Sequence, residues 1–269
     1  MMIVNRHLIS FVGSVAMVTA CIQPAQGSIT FSGSSGSLSA SAMFEIVGNY
    51  LQVDLTNTSP NDVLTPADVL TGVFFDLKGS PTLTTVSATV LSPNAVLFGG
   101  MDLGGVVGGE WAYKSSLAGT PGGATQGISS AGLGLFGPGD RFPGTNLQGP
   151  ADPDGLQYGI TSAGDNTSSG NTPVTGANAL IQNSVGFLLG SLPSDFTLGG
   201  ISDVHFQYGT SLSEPSIEGD PPAVPEPGSL VVWTLLGAAA TAAAYRKRKK
   251  RRRWSDANRQ AIYKVIGGD

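Results

Sequence analysis

Cysteine is almost absent from this sequence: Cys21 is the only one among 269 residues. A single cysteine cannot form a disulfide bond within the chain. Removal of an N-terminal segment that contains Cys21 would also exclude thiol catalysis and cysteine metal sites from the remainder. A domain in the remaining sequence must therefore be stabilised by its apolar core.

Histidine and the motifs of common catalytic sites are equally scarce. His7 lies near the N-terminus, which leaves His205 as the one imidazole in the body of the chain. There is no Walker lysine motif, H-E-x-x-H pair or G-x-S-x-G elbow. Residues 132–137 satisfy G-x-G-x-x-G, but Pro138 follows where a dinucleotide-binding fold needs the start of a helix. The sequence therefore favours a protein that is not an enzyme.

Basic side chains are nearly absent between residues 28 and 223. This body contains three basic residues, Lys78, Lys114 and Arg141, and 16 carboxylates. Its formal charge is therefore −13, whereas the whole chain carries −5. Eight consecutive basic residues, 246–253, account for most of the difference. A body this acidic is expected to repel nucleic acid and to attract divalent cations weakly.

The body is predicted to be mostly β. Leu51, Val53 and Leu55 alternate with polar residues, which is the period of a half-buried strand, and residues 203–208 alternate in the same way, with His205 on the solvent side. Further strands are predicted at 29–31, 42–47, 69–77, 83–91, 110–113, 156–160 and 185–189. Many of the 38 glycines and 17 prolines fall between these segments. The pattern predicts an antiparallel β-sandwich or a jelly-roll-like ectodomain.

Two kinds of binding site can be nominated in this body. Asp152, Asp154 and Asp165 offer oxygen ligands of the kind that calcium prefers, although the spacing of an EF-hand is absent. Trp111 and Tyr113 would stack on sugar rings if exposed and would be core aromatics if buried. Glycosidase chemistry would need two facing carboxylates, and Glu45, Glu110 and Asp140 can be nominated without a sequence reason to pair them.

The N-terminus has the pattern of an export signal. Arg6 and His7 precede an apolar run, residues 8–22, and small residues follow at positions 25 and 27. This predicts a signal peptide, residues 1–27, cleaved by signal peptidase between Gly27 and Ser28. A rival interpretation is a bacterial lipobox at residues 18–21, in which Cys21 would be lipidated.

The C-terminus combines three features in a fixed order. Val224, Pro225, Glu226 and Pro227 are followed by an apolar segment, residues 230–245, and then by the basic cluster 246–253. The 16 apolar residues span roughly 24 Å as a helix, against a hydrocarbon core of about 30 Å, so a single but marginal transmembrane helix is predicted. The positive-inside rule places the basic cluster in the cytoplasm and the body outside.

This C-terminal order resembles the PEP-CTERM sorting signal of bacterial surface proteins that depend on exosortase, a membrane-embedded protease. The resemblance implies that Pro225, Glu226 and Pro227 are the recognition residues and that the protein is anchored in the inner membrane only in transit. One departure is that members of this family usually end just after the basic cluster, whereas this chain continues to Asp269.

Together these features predict four segments: a signal peptide (1–27), an extracytoplasmic β-rich domain (28–223), a sorting signal (224–253) and a cytoplasmic tail (254–269). The expected function is that of an exported, non-catalytic protein of the cell surface or extracellular matrix. Its expected partners are signal peptidase, exosortase, the membrane and extracellular polysaccharide, but not nucleic acid, and it needs no cofactor besides the calcium considered above. The alternative is a secreted carbohydrate-binding or carbohydrate-active protein.

Overall fold

The computed structural model describes residues 27–149, 151–153, 155–176 and 178–221, together with residues 241, 244–245 and 247–249 near the C-terminus. Residues 1–26 of the predicted signal peptide, Asp154, the motif 224–227 and the tail 254–269 lie outside the described residues. Two compact units are distinguished, Met1–Asp220 and Pro221–Asp269.

The second unit is described at only a few positions. Thr241, Ala244 and Tyr245, which belong to the predicted transmembrane segment, are helical, as are residues 247–249. No helix among the described residues has the length and apolar character needed to cross a membrane.

The first unit is built from short strands joined by turns. The strands among its described residues are β1 (Ile29–Ser35), β2 (Leu38–Val47), β3 (Tyr50–Asn57), β4 (Leu70–Leu77), β5 (Thr84–Val90), β6 (Val96–Leu97), β7 (Ala112–Lys114), β8 (Gln126–Ser129), β9 (Ile160–Thr161), β10 (Leu180–Gln182), β11 (Ser184–Gly190), β12 (Ile201–Tyr208) and β13 (Ser216–Glu218). Short 3-10 helices occur at Pro66–Asp68, Gly108–Glu110, Pro121–Gly123, Pro138–Asp140 and Leu198–Gly200.

These strands form two sheets. The first has the order β1-β2-β3-β11-β5 and is antiparallel throughout. The second has the order β13-β12-β4-β9-β10-β6, with β8 pairing both β4 and β7, and its one parallel pair is β9 with β10. The prediction of a mostly β protein with antiparallel sheets is therefore confirmed.

Two tight turns set the register of the first sheet. The β1–β2 hairpin turns at Gly36 and the β2–β3 hairpin at Gly48, and both glycines have a positive φ, of 61° and 64°. Two-residue hairpin loops need this left-handed backbone so that the twist of the turn matches that of the strands. The register that results places Ala42 opposite Leu55 and Phe44 opposite Val53, all on the buried face.

One apolar core lies between the two sheets. Phe44 of the first sheet and Phe75 of the second meet edge to face, with ring centroids 5.4 Å apart. Phe31 also packs edge to face against Phe44, with ring centroids 5.8 Å apart. All three belong to a single hydrophobic cluster that draws residues from both sheets. Burial of each such ring contributes about 1.5–3 kcal/mol, so this shared core is the main source of stability.

The first strand lies beside the C-terminal end of the first unit. Asp220 donates its N–H to the carbonyl of Ser32 at 2.9 Å and accepts the N–H of Ser32 at 3.2 Å. This bridge joins the segment after β13 to β1, the first strand. The chain therefore enters and leaves the folded unit at neighbouring points.

Several predicted strands differ from those observed. Residues 156–158 form turns and only Ile160 and Thr161 belong to a strand, because Tyr158 takes a positive φ of 56° and its N–H donates to the carbonyl of Ala179. Glu110 belongs to a 3-10 helix, so the strand predicted at 110–113 begins only at Ala112. The strands β6, β8, β10 and β13 were not predicted.

Replacement of Phe44 tests whether the two sheets depend on this core. Phe44→Ala removes a fully buried ring and should lower the free energy of unfolding by about 3–5 kcal/mol. Val47→Ala, at the exposed end of the same strand, is the matched control and should change it by less than about 0.5 kcal/mol. Urea unfolding of the purified proteins measures both, and equal effects would contradict a core centred on Phe44.

Candidate functional site

The two nominated aromatic residues belong to the core. Trp111 is completely buried and packs against Phe187 at 4.9 Å, and Tyr113 is 5% exposed. The Tyr113 hydroxyl donates to Gln126 Oε1 at 2.6 Å and accepts the N–H of Leu83 at 3.3 Å. Burial raises the pKa of Tyr113 to about 12. Neither ring presents a free face on which a sugar could stack.

The depression beside Tyr113 lacks the pair of carboxylates that glycosidase chemistry requires. This open space, of about 260 Å³, is lined by Tyr113, Lys114 and Asp140 among others. Asp140 is the single carboxylate there, and Lys114 pairs with it at 3.2 Å. Asp140 also accepts the N–H of Gly137 at 2.9 Å, which closes a turn. These contacts hold Asp140 in a turn beside Lys114.

His205 is less exposed than strand alternation predicted. The turn at Pro121–Gly123 covers it so closely that a Cβ on Gly122 would lie 2.0 Å from the imidazole Nε2. Ser216 and Glu218 line the same shallow depression, but no hydrogen bond joins them to His205 in the described part of the chain. The three side chains do not form a catalytic triad.

Alternation fails further along the same strand because β12 is bulged. The pairing with β4 shifts between Ser202 and His205, where Asp203 takes a positive φ of 50°, and shifts again between Gln207 and Tyr208. Gln207, which alternation placed on the solvent side, is completely buried, since its Nε2 donates to the carbonyls of Tyr208 and Ser211. The loop after β12 thus covers a face that was expected to be open.

Glu110 is a buried carboxylate that orders a long loop. Its Oε1 accepts the N–H groups of both Leu147 and Gln148, the latter at 2.8 Å. Desolvation raises the pKa of Glu110, although these two hydrogen bonds and the charge of Arg141 act in the opposite direction. Glu45, the other nominated glutamate, lies opposite Gln52 in the first sheet. Nothing in these contacts pairs Glu110 with Glu45 for catalysis.

Asp152 and Asp165, two of the nominated calcium ligands, are not brought together. Asp152 is exposed and is not among the groups that act on Asp165, and Asp154 lies outside the described residues. Asp165 instead faces Asp62, a residue that sequence reasoning missed. The described residues contain no group of three or more His, Cys, Asp or Glu side chains able to hold a metal ion.

Asp62 and Asp165 lie in loops that are far apart in the sequence. Asp165 Oδ1 accepts the N–H of Val63 at 3.1 Å, and Asp62 Oδ1 accepts the N–H of Asn166 at 2.8 Å. Burial raises the pKa of Asp165, while the hydrogen bond from Ser169 lowers the pKa of Asp62. No local motif joins the two residues, so nothing in the sequence indicated that they meet.

Comparison with known proteins provides no relative from which a function could be inferred. No protein-family model, no curated protein and no solved structure matches this chain.

The buried Glu110 should give stability a recognisable dependence on pH. The pKa of Glu110 is higher in the folded protein than its ordinary value of 4.5. Just above pH 4.5 the folded protein therefore keeps a proton that the unfolded chain has lost, and this favours folding. The contribution is lost as pH rises toward 7.5. Glu110→Gln keeps an oxygen acceptor for the two N–H groups but cannot ionise. Its stability relative to the original protein should therefore increase as pH rises from 4.5 to 7.5.

Urea unfolding at several pH values measures this difference. Glu110→Ala leaves two N–H groups without their acceptor and should be less stable than the original by about 1–3 kcal/mol at every pH. If the original protein and Glu110→Gln responded identically to pH, desolvation of Glu110 would not contribute to stability.

Proposed function

We propose that this chain is an exported, non-catalytic protein of the cell surface or extracellular matrix, delivered through a PEP-CTERM-type sorting signal. Signal peptidase removes residues 1–27, and an exosortase-type protease recognises Val224, Pro225, Glu226 and Pro227. The segment 230–245 anchors the protein in the inner membrane during transit, with residues 246–269 in the cytoplasm.

The observation that best supports this proposal is where the folded unit ends. Asp220 is its last bridging residue, and it pairs with Ser32 of the first strand. Both proposed processing points lie outside this pairing, since Gly27 precedes β1 and Val224 follows Asp220. Removal of both signals would leave every strand and the shared core intact. The proposed maturation therefore requires no unfolding.

The proposed architecture is a β-sandwich rather than a jelly roll. The strands β1, β2 and β3 are consecutive neighbours in one sheet, which is a meander and not a Greek key. The interior between the sheets is filled by side chains such as Phe44 and Trp111. A filled interior fits a structural role better than one that requires a ligand cavity.

The alternative of a carbohydrate-binding protein receives no specific support. Trp111 and Tyr113 are buried, and the depression beside Tyr113 holds one carboxylate, Asp140, which is paired with Lys114. A secreted lectin or hydrolase stays a prediction from sequence. A glycan-binding screen on the purified protein would test it directly.

Replacement of the sorting motif tests the proposed delivery. With alanine at positions 225, 226 and 227, exosortase should fail to recognise the protein, which should stay in the inner membrane of its native host. Pro221→Ala together with Pro222→Ala is the matched control, because it removes two nearby prolines outside the motif. The control should be released as the original is.

Membrane fractionation with detection of the β-rich domain measures the distribution. Equal release of the motif variant and the original would contradict the proposed role of Pro225, Glu226 and Pro227. Retention of both variants would mean that the prolines act through the conformation of the linker, which would also contradict motif recognition.

A further inference from the structure

Two loops of the β-rich domain are joined by a pair of facing carboxyl groups. Asp62 lies in the loop between β3 and β4, and Asp165 lies in the loop after β9. Each carboxyl accepts the backbone N–H of the residue that follows the other, from Asn166 at 2.8 Å and from Val63 at 3.1 Å. The two side chains are also hydrogen-bonded to each other. This exchange of hydrogen bonds fastens one loop to the other.

A hydrogen bond between two carboxyl groups requires a proton on one of them, because an ionised carboxylate can only accept. The surroundings of the two groups indicate where this proton lies. Asp62 accepts the hydroxyl of Ser169 and the N–H of Asn166, and both hydrogen bonds favour its ionised form. Burial is the largest influence on Asp165, and it favours the neutral form. Asp165 is therefore the donor and Asp62 the acceptor.

Little else that is charged or titratable faces this pair. Asp62 is the titratable group that faces Asp165, and Asp165 is the one that faces Asp62. The strand β9 contributes the hydroxyl of Thr161, which does not ionise. Within the described part of the chain, neither carboxyl forms an ion pair with a basic side chain. Loss of the shared proton would therefore leave two negative charges side by side, which repel each other.

We propose that Asp62 and Asp165 form a proton-dependent latch, which holds the two loops together at mildly acidic pH and releases them as the pH rises. On release, the carboxyl of Asp165 gives its O–H proton to water and becomes a carboxylate. Repulsion then replaces the hydrogen bond between the two side chains. The latch does not depend on the proposed route of export.

The directions of the two pKa shifts set the pH range of the latch. The pKa of Asp165 is raised above its ordinary value of 3.8, so its contribution to stability is present below 3.8 and is lost as pH rises through the raised value. The pKa of Asp62 is lowered, so its contribution is present above 3.8 and is lost as pH falls through the lowered value. Both contributions are present just above pH 3.8, where Asp62 is ionised and Asp165 is protonated.

The latch lies beside a small apolar cluster. Val63, next to Asp62, and Val174, in the loop after Asp165, both belong to a hydrophobic cluster that is separate from the main core. Gly170 of the same loop lies so close to Val63 that a Cβ on the glycine would be 3.0 Å from the valine carbonyl oxygen. Release of the latch would loosen the two loops that contribute these valines. Because the main core is not involved, we expect local opening and not global unfolding.

Asp165→Asn tests the latch, because it imitates the protonated carboxyl and cannot ionise. Its amide oxygen can accept the N–H of Val63, and its NH₂ group can donate to Asp62. In the full chain purified in detergent, the variant and the original should have similar Tm values at pH 4.5. At pH 7.5 the variant should unfold at a temperature about 2–4 °C higher. The pH dependence due to Glu110 is common to both proteins and cancels in this comparison. Asp152→Asn, which changes an exposed carboxylate in another loop, is the matched control and should follow the original at both pH values.

Hydrogen exchange measured by mass spectrometry locates the effect and needs no variant. After correction for the intrinsic pH dependence of exchange, peptides that contain Val63 or Asn166 should be less protected at pH 7.5 than at pH 4.5 in the original protein. Peptides from β3, which packs in the main core, should keep their protection. In Asp165→Asn the loop peptides should keep theirs as well.

Three results would overturn the proposal. The first is a difference in Tm between Asp165→Asn and the original that is the same at pH 4.5 and at pH 7.5, which would mean that Asp165 does not lose a proton in this range. The second is an equal loss of protection in β3 and in the loops, which would mean that the whole domain is destabilised. The third is the same gain in Tm in Asp152→Asn, which would assign the effect to the net charge of the domain.

Discussion

The packing of two sheets against one apolar core is the interaction on which this domain depends. Cys21 is the only cysteine, so no disulfide can replace that packing. Phe44 contacts Phe31 and Phe75 and thereby links the first sheet to the second. The same constraint determines the role of the aromatic residues, because Trp111, nominated from the sequence as a sugar-stacking residue, fills the interior. Recognition from outside therefore cannot use this buried ring.

The acidic character of the domain has a structural explanation in those loops. Among the described residues, at least eight of the body's 16 carboxylates accept hydrogen bonds from backbone N–H groups, mostly in turns and loops: Asp62, Asp68, Asp76, Asp102, Glu110, Asp140, Asp165 and Glu214. A backbone N–H outside a sheet or helix needs such a partner. These carboxylates therefore order irregular segments of the chain.

Local patterns in the sequence predicted the long strands but not the short ones. The alternation of Leu51, Val53 and Leu55 belongs to an eight-residue strand, β3, with one buried face, and such a pattern is informative. The strand β10 has three residues, too few for a period to be recognised, and it exists because Leu180 and Ile181 pair with β6 and β9. The burial of Gln207 depends on a bulge and on a covering loop, which alternation cannot reveal.

The candidate site was predicted less well than the fold for a related reason. The sequence drew attention to Asp165, but its partner Asp62 is more than 100 residues away, and only the folded loops bring them together. The predicted export signals are the opposite case, because signals of these kinds are recognised as linear segments. Their prediction needs no fold, and it concerns residues that lie largely outside the described structure.

The most direct test of the account is to determine the two termini of the protein released by its native host. Mass spectrometry of the intact protein and of its terminal peptides measures both. The account predicts that the released protein begins at Ser28 and ends before Leu230, without the basic cluster 246–253. A released protein that begins at Met1, or one that retains the basic cluster, would contradict it.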